Sequence, residues 1–231
     1  MIVGAGMMAK AFENSILNPN TIVFASGVSN SLETRLSEFE REKKLLEQTV
    51  FNNENCKLIY FSSCSIYDGA VSDRLYVKHK IFMENYLASL TDNYLICRVS
   101  NVVGKNGNPN TLINYLYNCI NNNISFQAWI NSERNIIDVS DLVYFVEKLD
   151  AINLSQKTIN IANVSSYKVL SIIHIIENYL QKKSRHESLN KGVAMNINTD
   201  DISLVIPNFS DRFFTENIYI STILKKYFSN E

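Results

Sequence analysis

Two hydrophobic periods alternate along almost the whole of this chain, and that alternation limits its fold more than anything else in the sequence. Strand-like apolar runs ("MIVGAG", "TIVFASG", "KLIYFSS", "NYLICRV", "SFQAWI", "TINIAN") take turns with stretches of helical period. The helical stretches are "MMAKAFENSIL", residues 31–51, "YVKHKIFMENYLASL", "TLINYLYNCI", "DVSDLVYFVEKL" and "VLSIIHIIENYLQKK". A strand apolar along its whole length is covered on both faces, and a helix between consecutive strands implies parallel crossovers. The fold expected is therefore α/β, a doubly wound parallel sheet. At 231 residues the chain fits one domain, 1–231. The stretch from about 165 to 231, weakly patterned between 191 and 201, is expected to form a small C-terminal lobe. No internal repeat is visible.

Charge narrows the partners. With 22 basic and 23 acidic residues, nothing favours a nucleic-acid or membrane partner. No apolar run reaches membrane-spanning length, and "MIVGAGMM" lacks the basic start of a signal peptide, so a cytoplasmic location is expected. Cys56, Cys64, Cys97 and Cys119 show no CxxC spacing, and His79, His174 and His186 no metal-ligand spacing. Reduced thiols and no metal are expected.

Two short motifs carry chemistry. The first strand runs into G-A-G-M-M-A, with Gly4, Gly6 and Ala9 at the positions of a phosphate-binding βα turn. The acid that usually follows about 20 residues later, to hold an adenosine ribose, is absent from "FASG". The second motif is "YFSSCSIYDGAVSDRLYVKHK", where Tyr76 and Lys80 stand one helical turn apart, after Ser62 and Ser63. A free tyrosine is roughly 0.1% ionised at neutral pH, and priming it needs about 4 kcal/mol of preference for the phenolate. One ammonium at about 4 Å supplies that order of magnitude. A tyrosine so placed can pass a proton to a carbonyl oxygen that a serine hydroxyl holds.

Together these segments resemble the extended short-chain dehydrogenase/reductases, the nucleotide-sugar epimerase, dehydratase and reductase family, in a shortened form. The resemblance implies a Rossmann-like sheet with the C-terminal lobe on the substrate side. It implies Ser63, Tyr76 and Lys80 as catalytic residues, with Lys80 lowering the tyrosine pKa and anchoring the nicotinamide ribose. Gly4, Gly6, Met7, Met8, Ala25, Ser26, Ser62 and Val99, with Tyr76 and Lys80, would then face NAD or NADP, the choice being undecided. "CRVSNVVGKNG" is similar to the family's R-x-x-N-x-x-G segment, and "RNIIDVSDLV" to its R-D-x-x-x-V-x-D element. On that basis Asn101 and Arg134, with Ser63, would bind a nucleotide-sugar.

The chain also departs from the family. It passes from the first βα unit straight to the family's fourth strand, which would leave "MIVGAG" at a sheet edge with little protein around the adenosine. That edge and the long charged helix are compatible with a homodimer. Cys64 and Ser65 replace the Asp-Glu of dehydratases. Cys64 is three residues before Tyr67, where the family's epimerase-reductases carry a cysteine base two before, so a packed thiol is expected. The expected activity is NAD(P)H-dependent reduction of a nucleotide-linked 4-keto sugar for surface polysaccharide. The alternatives are a 4-epimerase retaining NAD and a non-catalytic dinucleotide-binding regulator.

Overall fold

The computed structural model describes residues 1–213 and 216–229. Along the chain, β1 (Ile2–Val3), α1 (Met7–Ala11), β2 (Thr21–Phe24), α2 (Leu36–Phe51), β3 (Lys57–Ser63), α3 (Leu75–Leu90) and β4 (Tyr94–Val99) follow in strict alternation. Next come β5 (Asn101–Val103), α4 (Leu112–Asn121), β6 (Phe126–Trp129), β7 (Glu133–Arg134), β8 (Ile136–Asp138), α5 (Val139–Ala151) and β9 (Lys157–Ile161). The remainder is β10 (Tyr167–Lys168), α6 (Val169–Leu180), β11 (His186–Leu189), α7 (Asp200–Val205) and α8 (Glu216–Tyr227). None of the helices among the described residues is long and apolar enough to cross a membrane.

The main sheet is wholly parallel, in the order β1-β2-β3-β4-β9. Strand pleating sends successive side chains to opposite faces. Ile22, Phe24, Leu58, Tyr60 and Ile96 accordingly pack with Leu46 of α2 and with Met83 and Leu87 of α3. Their neighbours Val23, Ile59, Leu95 and Cys97 pack on the other face with Leu142, Phe145, Val146 and Leu149 of α5. This is the doubly wound α/β architecture, with β1 outermost as the missing units require.

Several elements differ from the sequence reading. "SFQAWI" does not join the main sheet, because β6 pairs with β11 instead. The fifth position goes to "TINIAN" as β9. The short pair β5–β8 was hidden in turn-like sequence. A further core forms where α4, α6 and α8 meet β6, through Ile113, Leu116, Phe126, Ile172, Ile176, Ile220 and Leu224. Polar bonds fix α8 to the start of α5: Tyr219 Oη donates to Asp141 at 2.7 Å, and Tyr227 Oη and Lys226 Nζ donate to Asp138 at 2.6 and 2.9 Å.

One buried charge pair ties the opposite end of α5 to the sheet. Asp150 is fully buried, pairs with the buried Lys57 of β3, and accepts from Thr21 Oγ1 at 2.8 Å and the Asn18 amide at 2.6 Å. Burial works against its charge, but these donors win and hold its carboxyl below the usual range. A depressed pKa contributes stability above the unfolded-state value, near 3.9, which is lost as pH falls through the lower folded-state value. Asp150→Ala is expected to cost about 3–5 kcal/mol in urea unfolding at pH 7, because it strands the Lys57 ammonium. A loss under about 1 kcal/mol would show that Lys57 does not depend on this partner.

Candidate active site

The carboxyl ends of β1 to β4 open into one cavity of about 830 Å³, inside the range of about 300–1,000 Å³ usual for ligand sites. This is where open parallel sheets place ligands. Gly6, Met7, Met8, Ala25 and Ser26 line it past β1 and β2, and Ser62, Ser63, Tyr76, Val99, Asn101 and Arg134 line it past β3 and β4. The sequence-predicted residues thus converge, with two exceptions off the wall: Gly4, which is exposed, and Lys80, which is buried behind it.

Gly4 has φ +135°, a conformation that side chains avoid, and a Cβ there would lie 2.6 Å from the Ala25 carbonyl oxygen. It therefore packs the turn closely onto the backbone after β2. A Cβ on Gly6 would meet nothing within 4 Å, so this glycine faces the open cavity. That bare backbone rim fits the approach of a dinucleotide's phosphates.

Tyr76 sits in the first turn of α3, and its buried ring reaches the cavity wall. Ser63 Oγ lies 2.8 Å from Ser65 Oγ and accepts from the Ser65 amide at 3.1 Å, which fixes its rotamer at the strand end. Ser62 is corrected in part. Its Oγ donates its one hydrogen to Glu84 at 2.5 Å, so its hydroxyl has no donor left for a ligand. Cys64 is a packed thiol: buried, donating to the Arg98 carbonyl at 3.2 Å, and pushed up to about 12 by burial.

The main correction concerns Lys80. Its Nζ donates to Glu42 Oε1 at 3.0 Å, Tyr60 Oη at 3.1 Å and the Phe61 carbonyl at 3.4 Å. An ammonium has three hydrogens, and all three are used. Glu42 is 0% exposed and also accepts from the Val28 amide at 2.6 Å and Tyr60 Oη at 2.6 Å, with His79 Nε2 at 3.1 Å. Burial opposes the charge on Glu42, but Lys80, His79, Tyr60 and Val28 together hold its carboxyl far below the usual range. Lys80 Nζ lies 5.9 Å from the Tyr76 ring centre, yet the Glu42 carboxylate beside it offsets its field there.

Arg134 forms an ion pair with Asp68 at 3.0 Å, and Arg74 lines the cavity beside them. Burial and the like charge of Arg74 press the Arg134 pKa down, and Asp68 resists. Asn101 donates through Nδ2 to the Asn135 carbonyl at 2.8 Å, leaving its side-chain oxygen for a ligand. Arg41, Asp68 and Arg74 went unnoticed in the sequence, since single charges in a helix or loop resemble solvated surface. Among the described residues, the charged ones on the wall are three arginines and one aspartate, a balance that favours anions.

No family model and no curated protein matches the sequence. Solved structures do match the fold. The UDP-glucose 4-epimerase of Thermus thermophilus, in complex with NAD, superposes with a TM-score of 0.74 at 12% identity, over 92% of this chain and 79% of that one. MoeE5 in complex with UDP-glucuronic acid and NAD gives 0.67 at 16%, over 80% and 72%. The UDP-N-acetylglucosamine 4-epimerase from Methanobrevibacter ruminantium M1, in complex with UDP-N-acetylmuramic acid, gives 0.70 at 17%, over 90% and 74%. The chain has the Rossmann-like fold of these nucleotide-sugar enzymes.

The closed bonding of Lys80 has a chemical signature. Under native reductive methylation Lys80 is expected to stay unlabelled while the exposed Lys44 and Lys183 react. Glu42→Gln loses a charged hydrogen bond worth about 1.5–3 kcal/mol, so Lys80 labelling should rise by about tenfold or more. Peptide mass spectrometry reads both, and parent labelling of Lys80 at the surface rate would contradict this arrangement.

Proposed function

We propose that the protein is a shortened extended short-chain dehydrogenase/reductase that uses a nicotinamide dinucleotide to reduce a nucleotide-linked 4-keto sugar. One observation carries this reading: Tyr76 and Ser63 line the same cavity as the glycine turn after β1. The anionic preference of the wall suits two phosphate-bearing ligands. The dinucleotide, when bound, supplies the hydride, and NAD and NADP both remain open to the site.

This chain's own residues then do the following. Ser63, fixed by Ser65, holds the sugar's keto oxygen, and Tyr76 delivers the proton that neutralises the developing alkoxide. Arg134 and Arg74 take the nucleotide diphosphate, whose charge replaces that of Asp68. Trp129 and Met195 on the wall support a substrate-side position for the segment from about 165 onward, with β6. Cys64 is buried and protonated, so it takes no part as a base. The exposed apolar residues Ile81 and Phe82 of α3 support a homodimer.

The same residues suit a 4-epimerase that keeps its NAD and returns the hydride to the sugar. A non-catalytic dinucleotide-binding protein is a further reading, and the closed bonding of Lys80 to Glu42, Tyr60 and the Phe61 carbonyl is the observation that favours it. Oxidation of NADH and NADPH, followed at 340 nm against a panel of 4-keto nucleotide sugars, separates the three. The reductase consumes cofactor stoichiometrically, and Tyr76→Phe lowers kcat by about 10²–10⁴-fold with little change in KM. Inversion of C4 in the corresponding 4-hydroxy nucleotide sugars, with NAD present and no net change at 340 nm, would mark the epimerase. Binding without turnover would leave the regulatory reading.

A further inference from the structure

We propose that Arg41 is a phosphate-binding residue of this cavity, and that it anchors the dinucleotide where an adenosine-ribose contact is missing. The inference rests on the dinucleotide reading above and concerns how that ligand is held.

Arg41 lies on α2 and lines the cavity past β2. Its Nη1 and Nη2 both donate to the Ser26 carbonyl at 3.2 Å, and Nη1 also reaches Ser26 Oγ at 3.3 Å. Ser26 belongs to the backbone on which Gly4 is packed: a Cβ at Gly4 would lie 3.2 Å from the Ser26 nitrogen. The guanidinium therefore rests on the stretch against which the glycine turn packs, and it lines the same cavity as Gly6. Its bonds sit at the long end of hydrogen-bond range and its side chain is 44% exposed, so a ligand can take them over.

The charge around it points to an anion. Nε donates to Glu38 at 3.1 Å, an exposed i,i+3 pair of the weak kind, and Glu38 is not on the cavity wall. The only carboxylate on that wall, among the described residues, is Asp68, already paired with Arg134. A planar guanidinium fork matches phosphate oxygens two at a time. A ribose diol would call for a carboxylate acceptor instead, and none stands at the end of β2. With β1 as the outermost strand, the adenosine has few contacts of its own, and the phosphates carry a larger share of the affinity. The phosphate in question is either the pyrophosphate shared by NADH and NADPH or the 2′-phosphate of NADPH alone.

Fluorescence titration of the full chain with NADH and with NADPH, beside thermal-shift titration with inorganic pyrophosphate, tests this in the parent and in Arg41→Gln. Unchanged melting temperatures without ligand would show that the exposed substitution leaves the fold intact. A tenfold or greater loss for both dinucleotides supports the proposal at the pyrophosphate, and a loss confined to NADPH supports it at the 2′-phosphate. Partial recovery in Arg41→Lys, which keeps the charge but not the fork, supports it further. Equal affinities of parent and Arg41→Gln for NADH and NADPH overturn it while leaving dinucleotide binding intact. Arg41-dependent pyrophosphate binding without dinucleotide binding would leave Arg41 a phosphate-binding residue and overturn both its anchoring role and the dinucleotide reading. Binding of none of the three overturns both.

Discussion

A single carboxylate with no solvent exposure organises the wall of this cavity. Glu42 draws the Val28 amide, the Tyr60 hydroxyl, the His79 ring and the Lys80 ammonium onto one point. Those groups come from the loop after β2, from β3 and from α3, so one charge on α2 fixes three neighbours. Burying a carboxylate is costly, and the structure tolerates it only because four partners meet it. The same contacts decide how the site can work. The lysine that ought to prime Tyr76 belongs to a neutral pair, and it has no hydrogen left for a ribose. Under the proposed function, proton transfer by Tyr76 would depend on ligand and hydroxyl contacts within the cavity more than on an adjacent charge.

The shortened sheet bears on the same question from the other side. With β1 outermost, the glycine turn stands at the rim of the fold. Its close fit to the backbone after β2 comes from the unusual φ of Gly4, not from a long helix behind it, because α1 has only five residues. What remains is an open cavity with basic side chains, hydroxyls and amides on its walls. Under the proposed function, such a site would let a consumed cofactor and a reduced product enter and leave. A permanently retained dinucleotide would call for more enclosure.

Much of the fold was legible because its strands are apolar throughout and its helices keep a clear period. β2 and β3, for instance, were marked by continuous β-branched and aromatic runs. The elements that escaped notice have physical reasons. β5 and β8 are three residues each, too short to show a period, and β6 chose β11 through tertiary packing that no local pattern encodes. Within the site, the Ser63–Tyr76 spacing and the glycine turn announced themselves through residue type and order. Glu42 did not, although a signal was there: it shares a buried helical face with Phe39, Leu46 and Thr49, where a lone acid needs a partner. Lys80 was placed correctly on its helix, but its partner lay 38 residues away in sequence.

The central claim is that Tyr76 and a bound dinucleotide meet one sugar carbon in this cavity. Incubation with dinucleotide deuterated at C4 of the reduced nicotinamide, followed by NMR and mass analysis of the nucleotide sugar, tests it most directly. The account predicts one deuterium on the former keto carbon per cofactor oxidised, formed about 10²–10⁴-fold more slowly when Tyr76 is phenylalanine. Cofactor and sugar that bind together in the cavity yet leave every sugar carbon unlabelled would contradict it.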